Sequence, residues 1–130
     1  MLRKLLSVIV GVVLGMMATK AVHSFSTRIH PAPSSSDLLS EESFRAYMEG
    51  LPVEVYYLII ISHVLGACIA AFATSRLNKS NSFYLGLISV FVMIVFAIIT
   101  FLQIPFPPIL ILADILSMLV LGLLAARMGS

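Results

Sequence analysis

The stretch VEVYYLIIISHVLGACIAAFATSR, Val53 to Arg76, decides the fold. Between Glu54 and Arg76 it holds no acid, lysine or arginine. The hydrocarbon core of a bilayer is crossed by about 20 mainly apolar residues of helix. The stretch therefore reads as a transmembrane span with His63 near its middle. Small residues recur at Ser62, Gly66, Ala70 and Thr74, one helical turn apart. Such a stripe lets a second helix approach closely.

Three further stretches surround it. Residues 5–27 hold one charge, Lys20; residues 83–102 hold none; residues 108–126 hold one, Asp114. Together with 53–75 they predict four spans in a single domain covering residues 1–130. Composition agrees: 60% of residues are hydrophobic, 11% are charged and the mean hydropathy is +1.09. Soluble domains carry about 25% charged residues. The net charge of +2 is small and the bases do not cluster, so no nucleic-acid partner is implied. Cys68 is the one cysteine, which excludes an intrachain disulfide and a paired-cysteine zinc site.

Arg3 and Lys4 followed by an uncharged run could open a signal peptide. No clean small-residue cleavage site follows, and the apolar pattern continues to Phe25, so an uncleaved first helix is expected. Gly11 and Gly15 extend to Thr19 and His23 at the same spacing, a second stripe for packing.

Residues 28–52 form the one sizeable polar segment. Pro31, Pro33 and the serines 34–36 mark a loop. Ser40 can cap a short helix with Glu41 and Glu42 in its first turn. Glu41–Arg45 and Arg45–Glu49 have helical pair spacing, and Phe44, Tyr47, Met48 and Leu51 share one face. Gly50 suits a C-terminal cap, and Pro52 suits the opening of the next helix. An amphipathic helix is expected over 41–49, either on the membrane surface or over the bundle mouth, or else an ordinary surface helix. Three prolines in Gln103–Pro108 end the third span. Short connections at 76–82 and 103–108 predict antiparallel neighbours, hence an all-α, up-down four-helix bundle.

Arg3, Lys4, Arg76, Lys79 and Arg127 fall at one end of such a bundle, with no acid. Arg28 and Arg45 fall at the other end with Asp37, Glu41, Glu42, Glu49 and Glu54. Excess lysine and arginine marks the cytoplasmic side. Both termini are therefore expected in the cytoplasm, with the 28–52 loop outside it.

Lys20, His23, His63 and Asp114 are the ionisable candidates in or near the hydrocarbon, where such groups are costly and point to function. Counted from the helix ends, Lys20 and Asp114 lie at similar depths, which favours an ion pair between the first and fourth spans. The alternative has Lys20 reaching outward alone and Asp114 protonated. His63 reads as a buried histidine bonded to a neighbouring helix. A relay with Asp114 or Lys20 and haem ligation are the sharper alternatives. His23 lies about one turn too shallow to face His63 across a haem. His30, beside Pro31, reads as interfacial. No nucleophile–base pair, phosphate loop or metal spacing stands out, so no catalytic residue, metal or cofactor is assigned.

Several short motifs resemble a group of small uncharacterised bacterial four-helix integral membrane proteins. They are His30-Pro-Ala-Pro33, Tyr47-Met-Glu-Gly-Leu-Pro52, Gly66-Ala-Cys-Ile-Ala-Ala71 with Arg76, and Ile104-Pro-Phe-Pro107. The resemblance covers nearly the whole length and implies four spans in a bacterial inner membrane. It supplies no activity. Members often carry an acid late in the first helix and a histidine in the proline turn. This chain has Lys20 and His23 in the first region and Phe106 in the second.

Three functions follow as expectations. The first is a non-enzymatic accessory or assembly subunit with a protein partner, motivated by small size and small-residue stripes. The second is a homo-oligomeric transporter or channel using Asp114 and His63. Its size matches small multidrug exporters, but the first helix lacks their carboxylate. The third is a haem- or quinone-binding redox component built on His63.

Overall fold

A computed structural model describes residues 1–31, 33–34, 39–78 and 80–130. The expectations for Ser35, Ser36, Asp37 and Lys79 lie outside the described residues. Five helices follow in order: α1 (Leu2–Ile29), α2 (Glu41–Glu49), α3 (Val53–Arg76), α4 (Ser82–Gln103) and α5 (Pro108–Gly129). All but α2 are long and apolar enough to cross a membrane. Each of the four runs past at least one expected apolar limit into polar flanks, because backbone hydrogen bonding does not stop where hydrophobicity does.

The helix α3 is the hub. Half of its most apolar window is buried, against 22% for α1 and for α5. Its small residues explain this, since they let neighbouring backbones come near. Gly11 lies against Ala70 and Thr74, Gly15 against Gly66 and Ala70, and Thr19 against Gly66. Residue numbers rise on α1 as they fall on α3, so the two helices are antiparallel. A Cβ on Gly15 would sit 2.5 Å from the Gly66 carbonyl oxygen and 2.8 Å from the Ala70 Cβ. Only glycine permits that approach.

The same argument orders the rest. Gly86 of α4 lies against Ala71 and Ser75, and Gly122 of α5 against Val90. Gly129 lies against Phe72 and Ser75. Hence α4 is antiparallel to α3 and α5, while α5 runs parallel to α3. Ala67, Ala70, Ala71, Val90, Met93, Ile94, Ala97, Met118 and Ala126 form the core with Val12.

Polar contacts lock the end that carries both termini. The Thr74 hydroxyl lies 3.2 Å from the Ser7 carbonyl oxygen and 2.6 Å from Ser89 Oγ. The Asn78 amide donates to Ser7 Oγ and, at 2.9 Å, to the Thr74 carbonyl. Three helices are thus tied through buried side chains. Asn81, at φ 53°, turns the chain into α4 in the left-handed region, which asparagine tolerates.

At the opposite end the Ser40 hydroxyl caps α2, accepting from the Ser43 amide at 3.1 Å. Gly50 closes α2 at φ −84°, in the right-handed region, so its glycine freedom is not used. Pro52 stands just ahead of α3 as its N-cap, one place before the first helical residue. Among the described residues no ion pair joins Arg45 to Glu41 or Glu49; exposed side chains gain little from closing such a pair. The apolar side of α2 packs on the start of α3 and on the proline turn. Met48, Val55, Tyr56, Ile59 and Phe106 form a second cluster there, with Phe44, Tyr47 and Leu51 against it. Tyr56 Oη donates to the Met48 carbonyl at 2.5 Å. Phe106 meets the Tyr56 ring edge-on at 5.0 Å, a favourable aromatic geometry.

Candidate functional site: a buried acid–histidine pair behind a cleft

His63 Nδ1 lies 2.6 Å from Asp114 Oδ2. Asp114 has no accessible surface and His63 retains 8%. This bond joins α3 to α5 and replaces the expected Lys20–Asp114 pair. Among the described residues Lys20 makes no ion pair, and its side chain is exposed.

The register explains the exchange of partner. Phe106 packs on Tyr56, so the proline turn reaches inward past the first residues of α3. His63 lies seven residues beyond Tyr56, and Asp114 lies eight beyond Phe106. At 1.5 Å per residue the two then stand at one level. Counting from Pro52 and Pro108 as though they were level misses this. Lys20 is also near that level, because the preceding Thr19 lies 3.1 Å from the Ser62 carbonyl. It faces another way: successive helical residues are about 100° apart. For Lys20 the depth is legible in the sequence and the azimuth is not.

His63 also lines a cavity of about 630 Å³. Its walls come from α1 (Met16, Met17), α3 (Ile59, His63) and α4 (Met93, Phe96), with Met118 of α5 at the base. Lys20 and His23 line it as well, and both are exposed. Asp114 is not part of the wall. The cavity exists because α1 stops packing closely. Its buried residues are Ser7, Gly11, Val12 and Gly15, and then only Ser26. Beyond Gly15 the helix presents Met16, Met17 and Lys20, long side chains that are exposed and line the cavity.

The hydroxyls in the wall are already committed. Ser62 donates to the Ile59 carbonyl at 2.6 Å and Thr100 to that of Phe96 at 3.0 Å. Thr19 lies 3.1 Å from both the Gly15 and Ser62 carbonyls. His63 Nε2 has no hydrogen-bond partner among the described residues. Asp114 Oδ1 is buried without one.

The remaining candidates are helix contacts or surface groups. Gly11, Gly15, Ser62, Gly66 and Ala70 lie in the α1–α3 contact. His23 is exposed at the cavity rim, and His30 follows the last residue of α1. Among the described residues no group of three or more metal-ligating side chains comes together.

Four apolar helices of spanning length, with a polar pair buried at depth, mark a multi-pass membrane protein whose helices contact lipid. No family model, curated protein or solved structure matches this chain.

Proposed function

We propose that the protein is a non-enzymatic accessory subunit of the bacterial inner membrane that holds a membrane-soluble molecule in the cleft between α1 and α4. The observation that carries this reading is the His63–Asp114 bond behind an apolar cavity of ordinary ligand size. A polar pair at that depth is costly. A ligand that uses it gives the cost a purpose.

Both termini lie on the cytoplasmic side, and α2 with the proline turn lies outside. Arg3, Lys4, Arg76 and Arg127 at the shared end of α1, α3 and α5 support that orientation. The α2 helix offers the outer docking surface, since Glu41, Glu42, Arg45 and Glu49 are exposed on it. The short motifs shared with small bacterial four-helix membrane proteins support the choice of membrane.

Native mass spectrometry of the protein at native expression tests this. The expected particle contains a bound lipophile and a second protein at fixed stoichiometry. A bare monomer that takes up no lipophile would overturn the reading.

The direct His63–Asp114 contact also favours a second reading, a homo-oligomeric proton-linked carrier. Abolition of flux in proteoliposomes by Asp114→Asn, with folding intact, would move the assignment there.

A further inference from the structure

We infer that the cleft takes a neutral lipophile with a carbonyl head, of the quinone class, hydrogen-bonded to His63 Nε2. This rests on the ligand-holding role proposed above and specifies its occupant. The cleft surface is mainly apolar, so an occupant entering from the bilayer is itself lipid-soluble. Lys20, His23 and His63 all line it, and Lys20, His23 and the Nε2 of His63 have no side-chain partner among the described residues. Of the three only His63 is buried, so its Nε2 is the atom that meets a head drawn into the cleft. The two imidazole nitrogens point to opposite edges of the ring. A ring bound to α5 through Nδ1 therefore turns Nε2 away from that bond, and His63 is itself one of the residues lining the cleft. The hydroxyls of Thr19, Ser62 and Thr100 are spent on backbone carbonyls.

The pair then sets the polarity of the bond. A net charge buried beside hydrocarbon is expensive, so the arrangement without net charge is favoured. That arrangement is either imidazolium with carboxylate or imidazole with carboxylic acid. In both, Nε2 carries a proton and donates. It calls for an acceptor, and a ring carbonyl on an apolar tail supplies one. Removal of one proton from the pair leaves Nε2 as an acceptor, which suits the hydroxyl of the corresponding quinol. An anionic head would add net charge beside a buried pair that carries none, which is costly away from water. Phe96 and the four cleft methionines, Met16, Met17, Met93 and Met118, offer polarisable surface to a flat ring.

The test is photolabelling of the full chain in lipid nanodiscs with an azido-quinone, competed by decylubiquinone or by palmitate. Label is expected on α1, α3 and α4 around the cleft, displaced by decylubiquinone and not by palmitate. The double variant His63→Leu/Asp114→Leu removes the donor without stranding its partner. It should weaken decylubiquinone binding about tenfold or more, the scale of one lost hydrogen bond to a charged group. Met17→Trp fills the cleft from a side chain that is 62% exposed, so it should block labelling without disturbing the core. Competition by palmitate alone, or labelling unchanged in the double variant, would overturn the carbonyl head and leave the ligand site standing. Absence of cleft labelling by any lipophile in folded protein would remove both.

Discussion

The two halves of α1 meet the bundle differently. From Ser7 to Gly15 the helix is set into α3, with glycine against glycine and Thr74 reaching across to the Ser7 carbonyl. From Met16 onwards, among the described residues, Thr19 alone makes a polar contact with α3, and a cavity separates α1 from α4. One half has small residues and closes; the other has methionines and lysine and stays open. The lesson is that a single helix can be a staple at one end and a wall at the other. The buried acid–histidine pair stands where the wall begins.

That contrast can be broken most severely at the staple. Gly66→Leu would drive a side chain into the Gly15 carbonyl, which lies 2.8 Å from the position of a Cβ there. It should cost about 4 kcal/mol or more, since neither backbone can yield without separating the helices. Detergent-solubilised protein would show this as loss of the monodisperse peak on size exclusion.

Breaking the pair comes next. Asp114→Ala leaves His63 buried without its partner and should cost about 3 kcal/mol in unfolding free energy. The double variant His63→Leu/Asp114→Leu should recover most of that loss, because Asp114 Oδ1 is already unpartnered and the native pair rests on one bond. Steric trapping or denaturant titration in bicelles would measure the cycle.

Thr74→Val removes the contacts to Ser7 and Ser89 at nearly constant volume. Hydrogen bonds between membrane helices are worth modest amounts, so about 1 kcal/mol is expected in the same assay. Met17→Trp, on the open half, should change stability by less than about 0.5 kcal/mol. A large loss from Met17→Trp would mean that the second half of α1 is packed after all.

Much of this was legible in the sequence. Four long, nearly uncharged stretches gave four spanning helices, and the proline turn gave the start of α5 at Pro108. The stripes at Gly11–Gly15 and Ser62–Thr74 are visible as spacings. That each is the other's partner is not, because periodicity marks a face and never names its neighbour. Asp114 and His63 are both candidates by residue type, and counting from the helix ends favours Lys20 as the partner of Asp114, with a His63–Asp114 relay as an alternative. The aromatic contact between Phe106 and Tyr56 shifts α5 relative to α3, and no local pattern encodes that shift. The cleft was not legible at all. It arises where α1 and α4 fail to meet, and a spacing rule describes contacts rather than gaps. The methionines Met16 and Met17 beside Lys20 were the one available signal, as long side chains following a run of small ones.

The most direct test is a histidine-selective ¹⁵N spectrum of the protein in bicelles, recorded with and without decylubiquinone. Three histidines give three resolvable rings. For His63 the account predicts a hydrogen bond from Nδ1 to a carboxylate and a protonated Nε2 without a protein partner. It also predicts that the Nε2 proton moves downfield when decylubiquinone is added. An Nε2 already bonded within the protein, or one unmoved by saturating decylubiquinone, would contradict it.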